Sequence, residues 1–314
     1  MTTAVSSAEQ SPLPPHPRDP GDAWVEAPTG ERYWGRFGAA GLLVLDKQDR
    51  VLLQHRAEWS HHGGTWGLPG GARHQGESAI DGALREAAEE AGVPRESVAS
   101  RALSVLDRGV WTYTTVIADA VTPFEPVISD TESIGLEWVP VGEVGDYPLH
   151  PGFAGSWQML QTMLATRPVV VVDAANLVGS TPNGWWRDRT GATTQMINKI
   201  APLASAGIAA SALELPADHW FPEFVVVLEG KARAAIPLLG ASDGAGRLGV
   251  TPAPRLRLES APGAGDDAIV TETARLVEAG KAVTVVSSDR ELTARVTRAG
   301  ASARRVRWLY DLLD

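Results

Sequence analysis

The sequence predicts an α/β protein of two domains, a mixed α+β first half followed by a second half built on a mostly parallel sheet. Three observations carry that expectation. The chain has 314 residues, about twice the roughly 150 of an ordinary domain. Apolar and helical runs alternate regularly after residue 168 but not before it, and short buried strands alternating with helices imply a parallel sheet covered on both faces. Charge divides at the same place: residues 1–167 hold 12 Lys and Arg against 22 Asp and Glu, whereas residues 168–314 hold 16 of each.

Taken in order, residues 1–22 are rich in Pro and Ser and lack both a basic start and an apolar stretch. They read as a disordered tail, not a signal peptide. Residues 39–46 and 51–55 are apolar runs joined by Lys47, Gln48, Asp49 and Arg50, the pattern of a β-hairpin. Residues 78–91 should be a helix, stopped by Gly92 with Pro94 just beyond. Strands at 102–107, 111–120 and 136–141 complete a first domain over 23–151, and residues 153–165 form an amphipathic helix within a connecting segment, 152–167. From Pro168 a second domain runs to residue 314. Its strands are expected at 169–172, 224–228, 255–258, 283–287 and 303–308, and its helices at 193–206, 267–279 and 290–299. No internal repeat relates the halves.

Composition removes several function classes. Without cysteine there is no disulfide framework, thiolate zinc site or cysteine nucleophile. No apolar run approaches the roughly 20 residues of a membrane span, so a soluble cytoplasmic protein is expected, its oligomeric state open and a homodimer among the options. A net charge of −10 argues against non-specific nucleic-acid binding over the whole surface. Arg290, Arg295, Arg298, Arg304, Arg305 and Arg307 are opposed only by Glu291, which reads either as a local phosphate-binding face or as solvated surface. The seven histidines show no zinc-ligand spacing. Residues 240–244 fit G-x-S-x-G but lack a following helix, and residues 179–184 have P-loop spacing with Trp185 in place of the lysine.

Two groups of residues carry chemistry. In the first, Gly71 is followed at fixed intervals by Glu77, Arg85-Glu86, Glu89-Glu90 and Gly92. Glu86, Glu89 and Glu90 stand at i, i+3 and i+4, so their carboxylates share one helix face. Such crowding calls for a cation, and oxygen donors suit Mg²⁺ or Mn²⁺. A Glu77–Arg85 pair would pin the preceding loop to the helix. These positions match G-x5-E-x7-R-E-U-x-E-E-x-G-U, with U a bulky aliphatic and Ala87 the one departure. The first half resembles the Nudix hydrolases over roughly residues 32–151. The resemblance implies an α/β/α sandwich with a mixed sheet and Mg²⁺-dependent hydrolysis of a nucleoside diphosphate linked to another moiety. Glu86, Glu89, Glu90 and the Gly71 carbonyl would then be metal ligands, and Glu77 and Arg85 structural. The general base would come from the motif or from a later loop, where Glu132 is best placed. Arg36 and Trp66 are candidates to hold the nucleoside, and His61 and His62 to touch a phosphate or simply to lie in an exposed loop. A nucleotide-sensing module regulating the second domain is the alternative to catalysis.

In the second half, acids recur at strand ends: Asp173 with Asn176 after it, Glu229, Asp266 with Asp267, and Asp289. Ligands of open α/β sheets bind at the carboxyl ends of the strands, so these acids should converge and again hold Mg²⁺ or Mn²⁺; individually, Asp266 or Asp267 and Asp289 also read as helix caps. The pattern resembles the NYN branch of PIN-like ribonucleases, which implies a three-layer α/β/α domain and metal-assisted RNA cleavage. Trp185, Trp186 and Arg187 would then stack on an unpaired base or pack on the sheet.

Overall fold

The computed structural model describes residues 19–180, 185–236 and 255–313. Two compact units divide the chain, residues 1–161 and 162–314. The expected tail over residues 1–18 and the G-x-S-x-G segment at 240–244 lie outside the described residues, as does most of the P-loop-like stretch.

The first unit begins with a small antiparallel ribbon, β1 (Trp24–Glu26) and β2 (Arg32–Trp34). Its main sheet contains β3 (Ala39–Leu45), β4 (Arg50–Arg56), β5 (Trp66–Gly67), β6 (Gly70–Ala72), β7 (Val98–Asp107), β8 (Thr112–Ala120) and β9 (Ser133–Pro140). The order β7-β8-β3-β4-β5 is extended by β6 on β3 and β9 on β4, and β3 runs parallel to β8, so the sheet is mixed. The expected hairpin forms through the Asp46 N–H to Arg50 O bond at 2.9 Å, but it is short. β3 and β4 share a single register pair, Leu45 with Val51, before β3 turns to β6 and β8 and β4 to β9 and β5. Both strands are almost wholly buried, and a strand covered by neighbours has no need of a long hairpin ladder.

Helix α1 (Ala79–Ala91) starts where its first turn is capped: the Ser78 hydroxyl oxygen accepts the Asp81 N–H at 3.0 Å. It ends at Gly92, whose left-handed φ of +64° suits a residue without Cβ. Between these, Ala83, Leu84, Ala87 and Ala91 pack on Ala40, Leu42, Val44, Leu52, Val116 and Ala118. Ala87 is fully buried, so the small residue lets helix and sheet approach. Residues 19–22, expected within the tail, instead form a turn tied down by Arg36 N–H to Gly21 O at 2.8 Å. Helix α2 (Pro151–Ala165) spans the division between the units and buries Phe153, Trp157 and Leu160.

The second unit contains β10 (Pro168–Asp173), α3 (Ala174–Gly179), α4 (Arg189–Ala206), β11 (Ile208–Ala209), α5 (Ala210–Leu213), β12 (His219–Trp220), β13 (Glu223–Leu228), β14 (Leu256–Ser260), α6 (Gly265–Glu278), β15 (Ala282–Val286), α7 (Arg290–Arg298), β16 (Ser302–Arg304) and α8 (Val306–Leu313). Its five-stranded sheet, β14-β13-β10-β15-β16, is parallel throughout. Val169, Val171, Val225, Val227 and Val285 meet Ile269, Leu276, Leu292 and Val296 from the helices. The strand expected at 303–308 ends at Arg304 and gives way to α8. Val306 and Leu309, three apart and both buried, show the helical period that a short apolar run concealed. Three of the six arginines of the Arg-rich segment form ion pairs, Arg295 with Asp267, Arg304 with Glu214 and Arg307 with Asp311. Among the described residues, no helix is long and apolar enough to cross a membrane.

Truncating the first core should be costly. Leu42→Ala is expected to destabilise the first unit by about 2–5 kcal/mol and Ser78→Ala by about 1 kcal/mol, read as lowered urea midpoints.

Candidate functional site

In the first unit, β6 presses its backbone against the acidic face of α1. A Cβ added at Gly71 would stand 2.7 Å from the Glu86 carboxyl carbon, so only glycine permits this approach. One residue earlier, the Gly70 N–H donates to Glu90 Oε2 at 2.8 Å. Arg85 joins the parts. Its Nε and Nη2 donate to the two Glu77 carboxylate oxygens at 2.9 and 3.0 Å, Nη2 also to Ala72 O at 3.0 Å, and Nη1 to Glu86 Oε1 at 2.8 Å and Glu89 Oε2 at 3.4 Å. Glu77 further accepts the His74 N–H at 2.9 Å. Burial works against charge on Arg85 and Glu77, but their mutual hydrogen bonds prevail and hold both ionised.

The three motif carboxylates differ in environment. Glu89 is exposed, Glu86 half-buried, and Glu90 only 7 % exposed. Burial, and then repulsion from Glu86, pushes the Glu90 carboxyl up to about 8; burial likewise raises Glu86. Burial raises Glu132 too, with Arg56 opposing and the Asp130 and Asp22 carboxylates adding to the rise. Asp22 acts on both Glu86 and Glu132, and Arg56 on both Glu90 and Glu132, so the motif and Glu132 share two neighbouring charges. Crowded oxygen donors, one of them too buried to ionise readily, are a donor set that fits a hard divalent cation.

Sequence reasoning missed Asp22, assigned to the tail, and Arg56, which belongs to no motif. The proposed nucleoside contacts are not drawn together: Trp66 stacks on His55 at 4.6 Å, and Arg36 is exposed beside the Gly21 turn.

In the second unit, Asp173, Asn176, Glu229, Asp266 and Asp289 line a single cleft of about 480 Å³, together with Gly179, Ser180, Gly265 and Ser288. The sheet order explains this. β10 lies between β13 and β15, and the chain crosses over between β14 and β15, leaving a crevice at the carboxyl ends of the strands. Asp173 Oδ1 caps α3 by accepting the Asn176 N–H at 3.0 Å, and its Oδ2 accepts the Ser287 hydroxyl at 2.8 Å. Asn176 Oδ1 accepts the Ser288 N–H at 2.9 Å, Glu229 Oε2 the Gly265 N–H at 2.8 Å, and Asp289 Oδ1 the Leu292 N–H at 2.8 Å. Burial raises Asp173 and Asp266, and neighbouring carboxylates add to both.

Asp267 is the correction. Its side chain is 73 % exposed and pairs with Arg295 at 2.5 Å, because adjacent helical positions point about 100° apart. Neither it nor Asp266 caps α6, whose N-cap is Ala264. Trp185 lies 3.7 Å from where a Cβ on Gly179 would stand and carries Arg189 over its ring at 4.9 Å, while Trp186 is 59 % exposed.

Comparison with known proteins identifies the family of the first unit. Residues 35–163 match the NUDIX domain, and the chain belongs to the Nudix family. It is 51 % identical over 166 residues to a Mycobacterium tuberculosis protein named "Putative 8-oxo-dGTP diphosphatase 3", a match covering 50 % of this chain and 76 % of that protein. A Bifidobacterium longum nucleoside triphosphate pyrophosphatase/Nudix hydrolase fusion protein is 42 % identical over 155 residues, 46 % of this chain and 32 % of its own length. The solved Nudix hydrolase RenU of M. smegmatis is 50 % identical with a TM-score of 0.44, covering 46 % of this chain and 96 % of that one.

The raised Glu90 sets a pH dependence. An unfolded glutamate titrates near 4.3, so in metal-free protein the protonated Glu90 favours the fold, and that contribution is lost as pH rises from about 4.3 through about 8. Thermal melts in chelator should show wild type losing stability relative to Glu90→Gln between pH 5 and 8.5, and Mg²⁺ should reverse the loss.

Proposed function

We propose that residues 23–151 form a Nudix domain that hydrolyses the pyrophosphate linkage of an oxidised purine nucleoside triphosphate of the 8-oxo-dGTP class. The approach of Glu86 to Gly71 and of Glu90 to the Gly70 N–H, with Glu89 held on the same helix face by Arg85, carries this reading, and the Mycobacterium tuberculosis relative supports the substrate class. The three glutamates and the Gly71 carbonyl would hold Mg²⁺ or Mn²⁺, and the cation, when bound, acidifies water and offsets phosphate charge. Arg85 positions Glu86 and Glu89, and Glu77 orients Arg85. Glu132, whose carboxyl burial raises above its ordinary value, takes the proton of the attacking water. Arg56, whose charge reaches Glu90 and Glu132, binds phosphate oxygens.

A nucleotide panel with Mg²⁺ tests this. Glu89→Gln, at an exposed position, should fold normally and lose about 100-fold or more in turnover. Loss of the Arg85 partner in Glu77→Gln should cost on the order of 10–100-fold. Wild type that binds nucleotide but turns over no member of the panel would favour the sensor.

For residues 168–314 we propose a metal-dependent ribonuclease domain of the PIN-like NYN type, joined to the first domain by residues 152–167. The carboxylate-lined cleft at the parallel strand ends carries this reading. Asp173, Asp266 and Asp289 would hold the cation, with Asn176 and Glu229 beside them, and Trp185 and Trp186 would stack on unpaired bases. Single-stranded RNA cleavage in Mn²⁺ should disappear in Asp173→Asn, and Trp186→Ala should raise KM roughly 10-fold. Equal cleavage by Asp173→Asn and wild type would refute the assignment.

A further inference from the structure

Three histidines that no sequence spacing connects come together in the first unit. His61 and His62 lie in the loop between β4 and β5, and His150 immediately precedes α2. One ring nitrogen from each lies within 4.8 Å of the others. We propose that His61, His62 and His150 form a binding site for a borderline divalent transition ion of the zinc class.

The loop geometry creates the cluster. Neighbouring residues in extended chain point their side chains apart, but His62 has a left-handed φ of +55°, uncommon for a residue with a Cβ. That turn brings the rings of His61 and His62 to 4.1 Å, inclined at 66°. The conformation is held on several sides. Gly63 N–H donates to Ser60 O at 2.9 Å, Gly64 N–H to Arg56 O at 3.0 Å, the Thr65 hydroxyl to His62 O at 2.6 Å and Arg56 Nε to His61 O at 3.2 Å. His150 arrives from the far side of β5, its N–H donating to Trp66 O at 2.8 Å. Its ring stands edge-on to His62 at 4.6 Å and 6.5 Å from His61.

The donor set selects the ion. Imidazole nitrogen suits Zn²⁺, Co²⁺, Ni²⁺ and Cu²⁺, whereas Mg²⁺ takes oxygen, so the cluster differs in kind from the carboxylates of α1. Burial and the neighbouring imidazoles also keep His61 and His150 uncharged, His150 down to about 4, which leaves lone pairs available to a metal. Tetrahedral bonds of about 2.0–2.1 Å would bring the nitrogens to roughly 3.4 Å from one another, a closure within reach of side-chain rotation in two exposed residues. Three protein ligands leave a fourth position for water or an anionic oxygen. Capture has one local cost. His150 Nδ1 accepts the Gly152 N–H at 3.1 Å, and a ring that carries both a proton and a metal gives up that role. Gly152 is exposed, so water takes over as acceptor.

The test uses the full chain, stripped with chelator and titrated with Zn²⁺ while the histidine ring resonances are followed by NMR. The resonances of His61, His62 and His150 should shift together, with those of His55, His74 and His219 unmoved. The His62→Gln/His150→Gln double variant should bind one fewer Zn²⁺, and His61→Gln, which leaves the Gly152 bond intact, should weaken that site by at least 10–100-fold. Mn²⁺ binding at the carboxylate site should be retained in both variants, which separates this site from that one. Unmoved histidine resonances, or equal Zn²⁺ stoichiometry in wild type and double variant, would overturn the proposal.

Discussion

The guanidinium of Arg85 is the contact on which the first site depends. Five donated hydrogen bonds reach Glu77, the Ala72 carbonyl, Glu86 and Glu89, so one side chain fastens the loop after β6, the strand itself and the acidic face of α1. A planar fork with fixed donors can do this where a flexible ammonium cannot. Only after the loop is fastened does Gly71 lie against Glu86 and Gly70 donate to Glu90. The result is a group of carboxylates closer together than their charge favours, with Glu90 forced towards its neutral form. The same burial that makes the cluster costly makes a divalent cation the natural counterweight.

The second unit reaches a comparable arrangement by different means. Its acids are gathered by topology, because a parallel sheet with a crossover beside its central strand brings the ends of β10, β13, β14 and β15 to one crevice. Helix capping then orients two of them. Asp173 and Asp289 each accept the N–H of the third residue of the following helix, so the bonds that cap α3 and α7 also aim carboxylates at the cleft. A caps-only account and a site account therefore describe the same hydrogen bonds at these two positions. They part at Asp266, which does not cap its helix and still lines the cleft, while Glu229 reaches from another strand to accept the Gly265 N–H that opens α6.

Much of this was legible in the linear order of residues. The i, i+3, i+4 glutamates had to share a helix face, Ser78 and Gly92 bounded that helix, and the near-continuous valine runs of β10 and β13 could only be strands buried on both sides. The errors have physical causes. The hairpin of β3 and β4 is shorter than its sequence suggests because β3 pairs along its length with β8 and β4 with β9. The end of the chain read as strand because Ala303, Val306 and Trp308 are apolar over too short a span to display a period. Asp22 was lost in the composition of its surroundings.

By itself, the sequence determined the family of the first domain and which carboxylates share a helix face or stand at strand ends, since local periodicity places side chains there regardless of what lies beyond. The tertiary structure alone decided which of Asp266 and Asp267 enters the cleft, and that Arg56 shares a field with Glu90 and Glu132. It alone brought His150 to His61 and His62. These are questions of direction and of contact between distant segments, and they are answered only when sheet order and backbone turns have set where each chain passes.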